Sequence, residues 1–182
     1  MPCDPETLAR KAARVRLLLF DVDGVLTDGR ILVHADGSES KLFSIRDGTG
    51  IVWAHRAGLT TGILSARESG ATAARAAQLG IPIVRQQAGD KLHAYLDLVR
   101  RERFADEEIA YMGDDLLDLG VLGRVGLAAA PADAAPEVRE RADWVSGFAG
   151  GRGAARELVE LVLKVQGRWD ALLTGYLPET TA

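Results

Sequence analysis

The feature that most constrains this chain is a continuous apolar run, residues 17–20, which ends in two aspartates, Asp21 and Asp23, followed by Gly24. A short apolar run without alternation is typical of a strand covered on both faces, as in a parallel sheet. Ligands of open α/β sheets bind beyond the carboxyl ends of the strands, so the aspartates are predicted to lie at a functional edge. Two carboxylates this close repel each other unless a cation lies between them, and hard oxygen ligands suit Mg²⁺.

The rest of the chain alternates strand patterns with helical patterns. A leading helix is predicted at 4–13 and a first strand at 16–20. Further strands are predicted at 60–64, 81–84, 109–112, 126–130 and 144–145, with helices at 48–57, 68–79, 91–103, 134–142 and 152–166. This alternation indicates an α/β fold, a doubly wound parallel sheet with right-handed crossovers. At 182 residues, the chain is predicted to form one domain, 1–182.

A β-hairpin flap, residues 29–47, is predicted to project from this sheet. Apolar strand patterns at 31–34 and 41–45 flank the dipeptide Asp36-Gly37, which is frequent in hairpin turns. Both faces of the hairpin carry apolar side chains, and an isolated hairpin is marginally stable in water. Another surface is therefore expected to cover it.

Composition disfavours several classes of partner. A net charge of −4 argues against nucleic acid or an anionic membrane, and an aromatic content of 5% leaves few rings to stack on bases. The lone Cys3 provides neither a disulfide framework nor a cysteine metal site, and residues 1–14 lack the apolar core of a signal peptide. No apolar run approaches the length that spans a bilayer. We therefore expect a cytoplasmic protein that binds a small molecule.

Three further segments follow the first acidic motif along the chain. The second ends a predicted strand in the hydroxyl of Ser65, the third places Lys91 at the head of a helix, and the fourth, residues 111–118, holds three aspartates. With Asp21 and Asp23, these segments resemble the four motifs of the haloacid dehalogenase superfamily of phosphatases. The resemblance implies a haloacid dehalogenase-like fold and phosphoryl-transfer chemistry.

A narrower resemblance comes from the segments between and after these motifs. The hairpin, the Arg46-Asp47-Gly48 segment read as a loop, and residues 150–157 look like the small, cap-less branch of 3-deoxy-D-manno-octulosonate 8-phosphate phosphatases. This resemblance covers roughly residues 15–167. It implies that no separate cap domain closes the site.

Asp21 is predicted to be the nucleophile, because its position at the end of a buried strand is rigid and a carboxylate can form an aspartyl-phosphate. An anionic nucleophile approaches a phosphoryl group only with charge compensation, which Mg²⁺ can supply. The resemblance implies that Asp23 is the general acid and base. It also implies that the carboxylates of Asp21 and Asp114 ligate Mg²⁺ together with the backbone carbonyl of Asp23.

Ser65 and Lys91 are expected to contact the phosphoryl group, as a hydroxyl donor and as a point positive charge. A cation at a helix N-terminus opposes the helix dipole, which favours a functional role for Lys91. Asp115 or Asp118 is expected to orient Lys91 or metal-bound water.

Substrate contacts are predicted at the end of the hairpin and in the second motif. An ulosonic acid carries a carboxylate, which arginine binds bidentately. Arg67 matches the pattern of the eight-carbon branch, whereas Ala66 stands where that branch usually has Gly. A surface ion pair is the alternative role for each arginine. The predicted substrate-binding set is Asp23, Ser44, Arg46, Asp47, Gly48, Arg67, Arg75 and Lys91.

Other functions share parts of this pattern. A nine-carbon ulosonate phosphate is the nearest alternative substrate, and a phosphotransferase or phosphomutase would use the same aspartates. A receiver-like signalling domain also combines a phosphoacceptor, a hydroxyl and a lysine. Its acidic pair lies on the first strand, however, and its phosphoacceptor on a later one. A non-catalytic assembly module is the last alternative.

The resemblance also implies a homotetramer, in which hairpins meet around a central axis and each subunit helps to close a neighbour's site. The tail, residues 167–182, keeps several apolar side chains and is expected to dock near such an adjoining site. The alternative is a hairpin that folds over its own subunit.

Overall fold

A computed structural model describes residues 2–176 of the chain. The strands are β1 (Leu17–Phe20), β2 (Leu32–Val33), β3 (Glu39–Ser40), β4 (Thr60–Leu64), β5 (Ile83–Arg85), β6 (Ile109–Met112), β7 (Leu127–Ala130) and β8 (Trp144–Val145). The helices are α1 (Pro5–Ala13), α2 (Ile45–Arg56), α3 (Gly70–Leu79), α4 (Lys91–Glu102), α5 (Leu119–Leu122), α6 (Pro136–Arg141), α7 (Ala154–Val165) and α8 (Trp169–Thr174). None of the helices in this part of the chain is long and apolar enough to cross a membrane.

Six of the strands form one parallel sheet in the order β5-β4-β1-β6-β7-β8. Strand β1 lies between β4 and β6, and all four of its side chains are buried. Apolar side chains fill both faces of the sheet: one cluster includes residues of α2 and α7, and the other includes residues of α4 and α6. The predicted α/β fold with a parallel sheet is confirmed.

The hairpin is shorter than predicted. Strands β2 and β3 pair antiparallel over two residues each, whereas the apolar pattern predicted strands at 31–34 and 41–45. The difference arises at Ser44, whose side chain accepts a hydrogen bond from the amide of Asp47 and begins α2 at Ile45. Apolar side chains of this region remain in water, with Leu42 79% exposed and Ile45 77% exposed.

The Arg46-Asp47-Gly48 segment is therefore the first turn of a helix and not a loop. The carboxylate of Asp47 is buried and accepts hydrogen bonds from the amides of Gly153, at 3.1 Å, and Arg156, at 2.9 Å. These amides open α7, where helical N–H groups lack partners within the helix. Asp47 thus joins the start of α2 to the start of α7.

The tail folds into helix α8, although its sequence showed little pattern. The ring of Trp53 on α2 lies 5.4 Å from that of Trp169 and 6.1 Å from that of Tyr176. The Tyr176 hydroxyl accepts hydrogen bonds from Trp53 Nε1 and from Arg56 Nη1. Trp169 and Tyr176 thus contact α2 of the same chain. The rest of the predicted tail, 177–182, lies outside the described residues.

Candidate active site

An acidic pocket of about 200 Å³ lies at the carboxyl ends of the central strands. Asp21 follows β1, Ser65 follows β4 and Asp114 follows β6, so parallel pairing brings these residues to one edge. The amide of Asp21 donates a 3.0 Å hydrogen bond to the carbonyl of Met112. The pocket is lined by Asp21, Asp23, Ser65, Ala66, Arg67, Lys91, Asp114, Asp115 and Leu117.

Lys91 lies between two carboxylates in the floor of the pocket. Its Nζ is 2.5 Å from Asp21 Oδ2 and 2.6 Å from Asp118 Oδ1, and all three side chains are nearly or fully buried. Asp118 Oδ1 also accepts a hydrogen bond from the Tyr111 hydroxyl, at 2.6 Å. The ion triad explains why a lysine occupies the first turn of α4, where the helix dipole disfavours a cation.

The second oxygen of Asp118 is also occupied. It accepts hydrogen bonds from the amides of Asp114, at 2.9 Å, and Asp115, at 3.1 Å. Four donors therefore hold the Asp118 carboxylate, which positions Lys91 and shapes the turn after β6. Asp118 rather than Asp115 contacts Lys91, a choice that the sequence pattern left open.

The pocket is lined by more carboxyl groups than cations, and this imbalance disfavours ionisation of its buried aspartates. Burial raises the pKa of Asp21 to about 6, although the charge of Lys91 acts in the opposite direction. Burial, followed by the charges of Asp21 and Asp118, raises the pKa of Asp114 to about 8. Burial disfavours the charged form of Lys91, but Asp21 and Asp118 outweigh that effect and raise its pKa. A cation between the carboxylates would relieve this repulsion.

The donor set fits a hard divalent cation. Carboxylate oxygens of Asp21, Asp114 and Asp118 lie within 4.8 Å of one another. Asp118 is already held by four donors, whereas Asp114 Oδ1 is buried and has no hydrogen-bond partner among residues 2–176. Asp21 and Asp114 are therefore the side chains available to hold Mg²⁺, which prefers oxygen ligands. The predicted contribution of the Asp23 carbonyl stays a prediction.

Close approach of Asp114 to the first motif depends on Gly24. A Cβ at this position would lie 2.0 Å from Asp114 Oδ2, and the φ angle of Gly24 is +86°. Any other residue would be both strained and in contact with the carboxylate. Gly24 therefore lets the first and fourth motifs face each other across the pocket.

Asp23 lines the same pocket and is paired with two cations, Lys41 and Arg67. Its Oδ2 accepts a 2.9 Å hydrogen bond from Lys41 Nζ and lies 3.8 Å from Arg67 Nε. Arg67 is half-exposed, and its Nη2 lies 3.1 Å from Glu39 Oε2. The sequence analysis did not identify Lys41 or Glu39 as site residues. It assigned Lys41 to the second strand of the hairpin and Glu39 to the segment between the two strands. A lysine directly before the apolar pair Leu42-Phe43 was the available signal.

Ser65 and Ala66 both line the pocket, and Ser65 is buried. The amide of Ser65 donates to the carbonyl of Arg85, at 2.8 Å, and its own carbonyl accepts from the amide of Ala88, at 3.1 Å. These bonds fix the end of β4 against the chain beyond β5. Alanine at position 66 is compatible with this arrangement.

The other predicted substrate contacts do not line the acidic pocket of the same chain. Arg46 is exposed and borders a different groove, of about 610 Å³, beside α7. Arg75 Nη2 donates to the carbonyl of Ser44 at 3.3 Å, and a Cβ at Gly48 would lie 2.3 Å from that nitrogen. Ser44, Gly48, Arg75 and the buried Asp47 thus serve the packing of α2 against its neighbours. Of the predicted set, Asp23, Arg67 and Lys91 line the acidic pocket.

Comparison with known proteins agrees with this geometry. The sequence profile of the haloacid dehalogenase-like hydrolases matches residues 64–158. The 3-deoxy-D-manno-octulosonate 8-phosphate phosphatase KdsC of Salmonella typhimurium is 44% identical over 169 residues, which span 93% of this chain and 89% of that protein.

Comparison with solved structures also finds phosphatases of similar fold. A probable YrbI family phosphatase from Pseudomonas syringae superposes with a TM-score of 0.93 at 44% identity, covering 95% of this chain and 98% of that one. The 3-deoxy-D-manno-octulosonate 8-phosphate phosphatase of Moraxella catarrhalis, in complex with magnesium, phosphate and KDO, superposes with a TM-score of 0.93 at 33% identity, covering 96% and 100%. The chain therefore belongs to the haloacid dehalogenase-like hydrolases.

Proposed function

We propose that this protein is a Mg²⁺-dependent phosphatase that hydrolyses 3-deoxy-D-manno-octulosonate 8-phosphate to the free sugar acid and phosphate. The observation that carries the proposal is the pocket in which Asp21, paired with Lys91, lies beside a buried Asp114 oxygen that has no hydrogen-bond partner within residues 2–176. Further support comes from the KdsC relatives and from the magnesium, phosphate and KDO bound by the Moraxella catarrhalis protein. The released sugar acid would serve lipopolysaccharide inner-core synthesis.

In the first half of the reaction, a carboxylate oxygen of Asp21 attacks phosphorus and the bond from phosphorus to the sugar oxygen breaks. Asp23 donates a proton to that departing oxygen, so the sugar leaves as an alcohol. Asp21 and Asp114 would hold Mg²⁺, whose positive charge would lower the repulsion between the nucleophile and the phosphoryl group. The product of this half is an aspartyl-phosphate on Asp21.

In the second half, a water molecule attacks the phosphorus of the aspartyl-phosphate. Asp23, now a carboxylate, takes a proton from that water, and the bond from phosphorus to the Asp21 oxygen breaks. Free phosphate leaves and Asp21 is a carboxylate again. Lys91 supplies positive charge beside Asp21 in both halves, and Asp118 keeps its ammonium in place.

Ser65 and Arg67 are proposed to bind the two anionic ends of the substrate. Ser65 lies at the end of β4 and would donate its hydroxyl to a phosphoryl oxygen. Arg67 is half-exposed at the rim and would pair with the sugar carboxylate. A site with one group for the phosphate and another for the carboxylate favours a phosphorylated sugar acid over a sugar phosphate that has no carboxylate.

A cytoplasmic location is also proposed. The single cysteine, Cys3, is free, which suits a reducing compartment.

Asp21→Asn should abolish phosphate release, because an amide does not attack phosphorus, while the fold stays intact. Asp23→Asn should lower turnover by about a hundredfold or more, the usual scale of general acid–base catalysis. The measurement is phosphate release with Mg²⁺ and after its removal by EDTA, with Asp97→Asn on the exposed side of α4 as the matched control. Near-normal turnover of Asp21→Asn would contradict the covalent mechanism.

An eight-carbon ulosonate phosphate should have a higher kcat/KM than a nine-carbon one. Arg67→Gln should lower kcat/KM for the sugar acid phosphate and leave that for a pentose 5-phosphate, which lacks a carboxylate, nearly unchanged. The matched control is Arg100→Gln, which changes an exposed side chain of α4. Equal values for the two chain lengths would refute the substrate assignment and leave the phosphatase assignment standing.

A homotetramer is proposed because the hairpin region leaves Leu32, Val33, Leu42 and Ile45 between 63% and 79% exposed. Apolar patches of this kind are normally covered in soluble proteins. Light scattering should give four subunits, and Val33→Glu combined with Leu42→Glu should yield smaller species. A monomer at micromolar concentration with full activity would contradict both the assembly and the shared-site idea.

A further inference from the structure

Lys41 is a buried lysine that belongs to the hairpin and not to any of the four motifs. It directly follows β3, and its side chain is 0% exposed. Lysine is rarely buried unless its charge is paired. Its Nζ lies 2.7 Å from one oxygen of Asp23 and 2.9 Å from the other, so the proposed acid–base residue is its partner.

The other charges around Asp23 hold it less firmly. Arg67 Nε is 3.8 Å away, and its side chain is 53% exposed, so water screens that interaction. Glu39 Oε1 lies 3.9 Å from Lys41 Nζ and carries the same charge as Asp23. Lys41 is therefore the cation that restrains the Asp23 carboxylate at short range and out of water.

The ammonium of Lys41 lies close to both oxygens of the Asp23 carboxylate. It donates a 2.9 Å hydrogen bond to Oδ2, and its charge lies 2.7 Å from the buried Oδ1. An ammonium held against both oxygens fixes the plane and the direction of the carboxylate. Displacement of a catalytic group by about 1 Å can lower the reaction rate about a hundredfold.

We propose that Lys41 is a positioning residue for Asp23: its ammonium holds the carboxylate in the direction from which Asp23 passes a proton to the departing sugar oxygen. The proposal rests on the phosphatase function proposed above and names a residue outside the four motifs. It also gives the hairpin region a second role, because the segment that leaves Leu42 exposed carries Lys41 into the pocket of its own chain.

The test compares two substrates that differ in their need for a proton. A sugar oxygen leaves as an alcohol only after protonation, whereas the p-nitrophenolate of p-nitrophenyl phosphate departs without it. The second-order constant kcat/KM reports steps up to departure of the leaving group. We measure the ratio of kcat/KM for the sugar acid phosphate to kcat/KM for p-nitrophenyl phosphate in wild type, Lys41→Met and Lys41→Gln. This ratio does not depend on the fraction of enzyme that is folded.

The ratio should fall about tenfold to a hundredfold in both Lys41 variants. Lys11→Met, which removes a 2.6 Å ion pair with Asp143 far from the pocket, should keep the wild-type ratio. An unchanged ratio in the Lys41 variants, including an equal loss on both substrates, overturns the positioning role. Failure of wild type to release phosphate from either substrate would instead overturn the proposed function.

Discussion

The ammonium of Lys91, held between the buried carboxylates of Asp21 and Asp118, connects three parts of the fold at the catalytic edge of the sheet. Asp21 follows β1, Lys91 begins α4, and Asp118 closes the turn after β6. Removing one partner of a buried ion pair leaves an uncompensated charge, at a cost of about 3–5 kcal/mol. With both carboxylates ionised the triad carries one net negative charge, and burial beside that charge raises the pKa of Asp114, so Asp114 resists ionisation in the absence of a cation. The pocket is therefore built around a deficit of positive charge that a divalent cation can fill.

Close backbone contacts bring the acidic loops near enough for this arrangement. A Cβ at Gly113 would lie 2.4 Å from Asp118 Cγ, and one at Gly150 would lie 1.8 Å from the carbonyl oxygen of Gly24. The amide of Gly151 donates to the carbonyl of Val25 at 2.8 Å, so the segment before α7 supports the loop after β1. Gly150 and Gly151 therefore support the site by close backbone contacts with the loop after β1.

The sequence was sufficient to predict the centre of the sheet and the residues at its edge. An unbroken apolar run in the sequence indicates a buried parallel strand. Parallel pairing of β1 with β4 and β6 then places Ser65 and Asp114 beside Asp21. The start of α2 was not predictable in the same way. Asp47 is bound by amides more than 100 positions away in the chain, at Gly153 and Arg156, and no local pattern records such a contact. Lys41 was missed because a hairpin pattern assigns a residue to a strand without showing what its side chain reaches.

The central claim is that Asp21 carries the phosphoryl group during turnover. In Asp23→Asn, p-nitrophenyl phosphate should still transfer its phosphoryl group, because its leaving group needs no proton, while hydrolysis of the aspartyl-phosphate is slowed by the loss of the base. Acid quenching followed by peptide mass spectrometry should then find one phosphoryl group, on Asp21. An active enzyme in which another residue is phosphorylated, or in which Asp21 never is, would contradict this account.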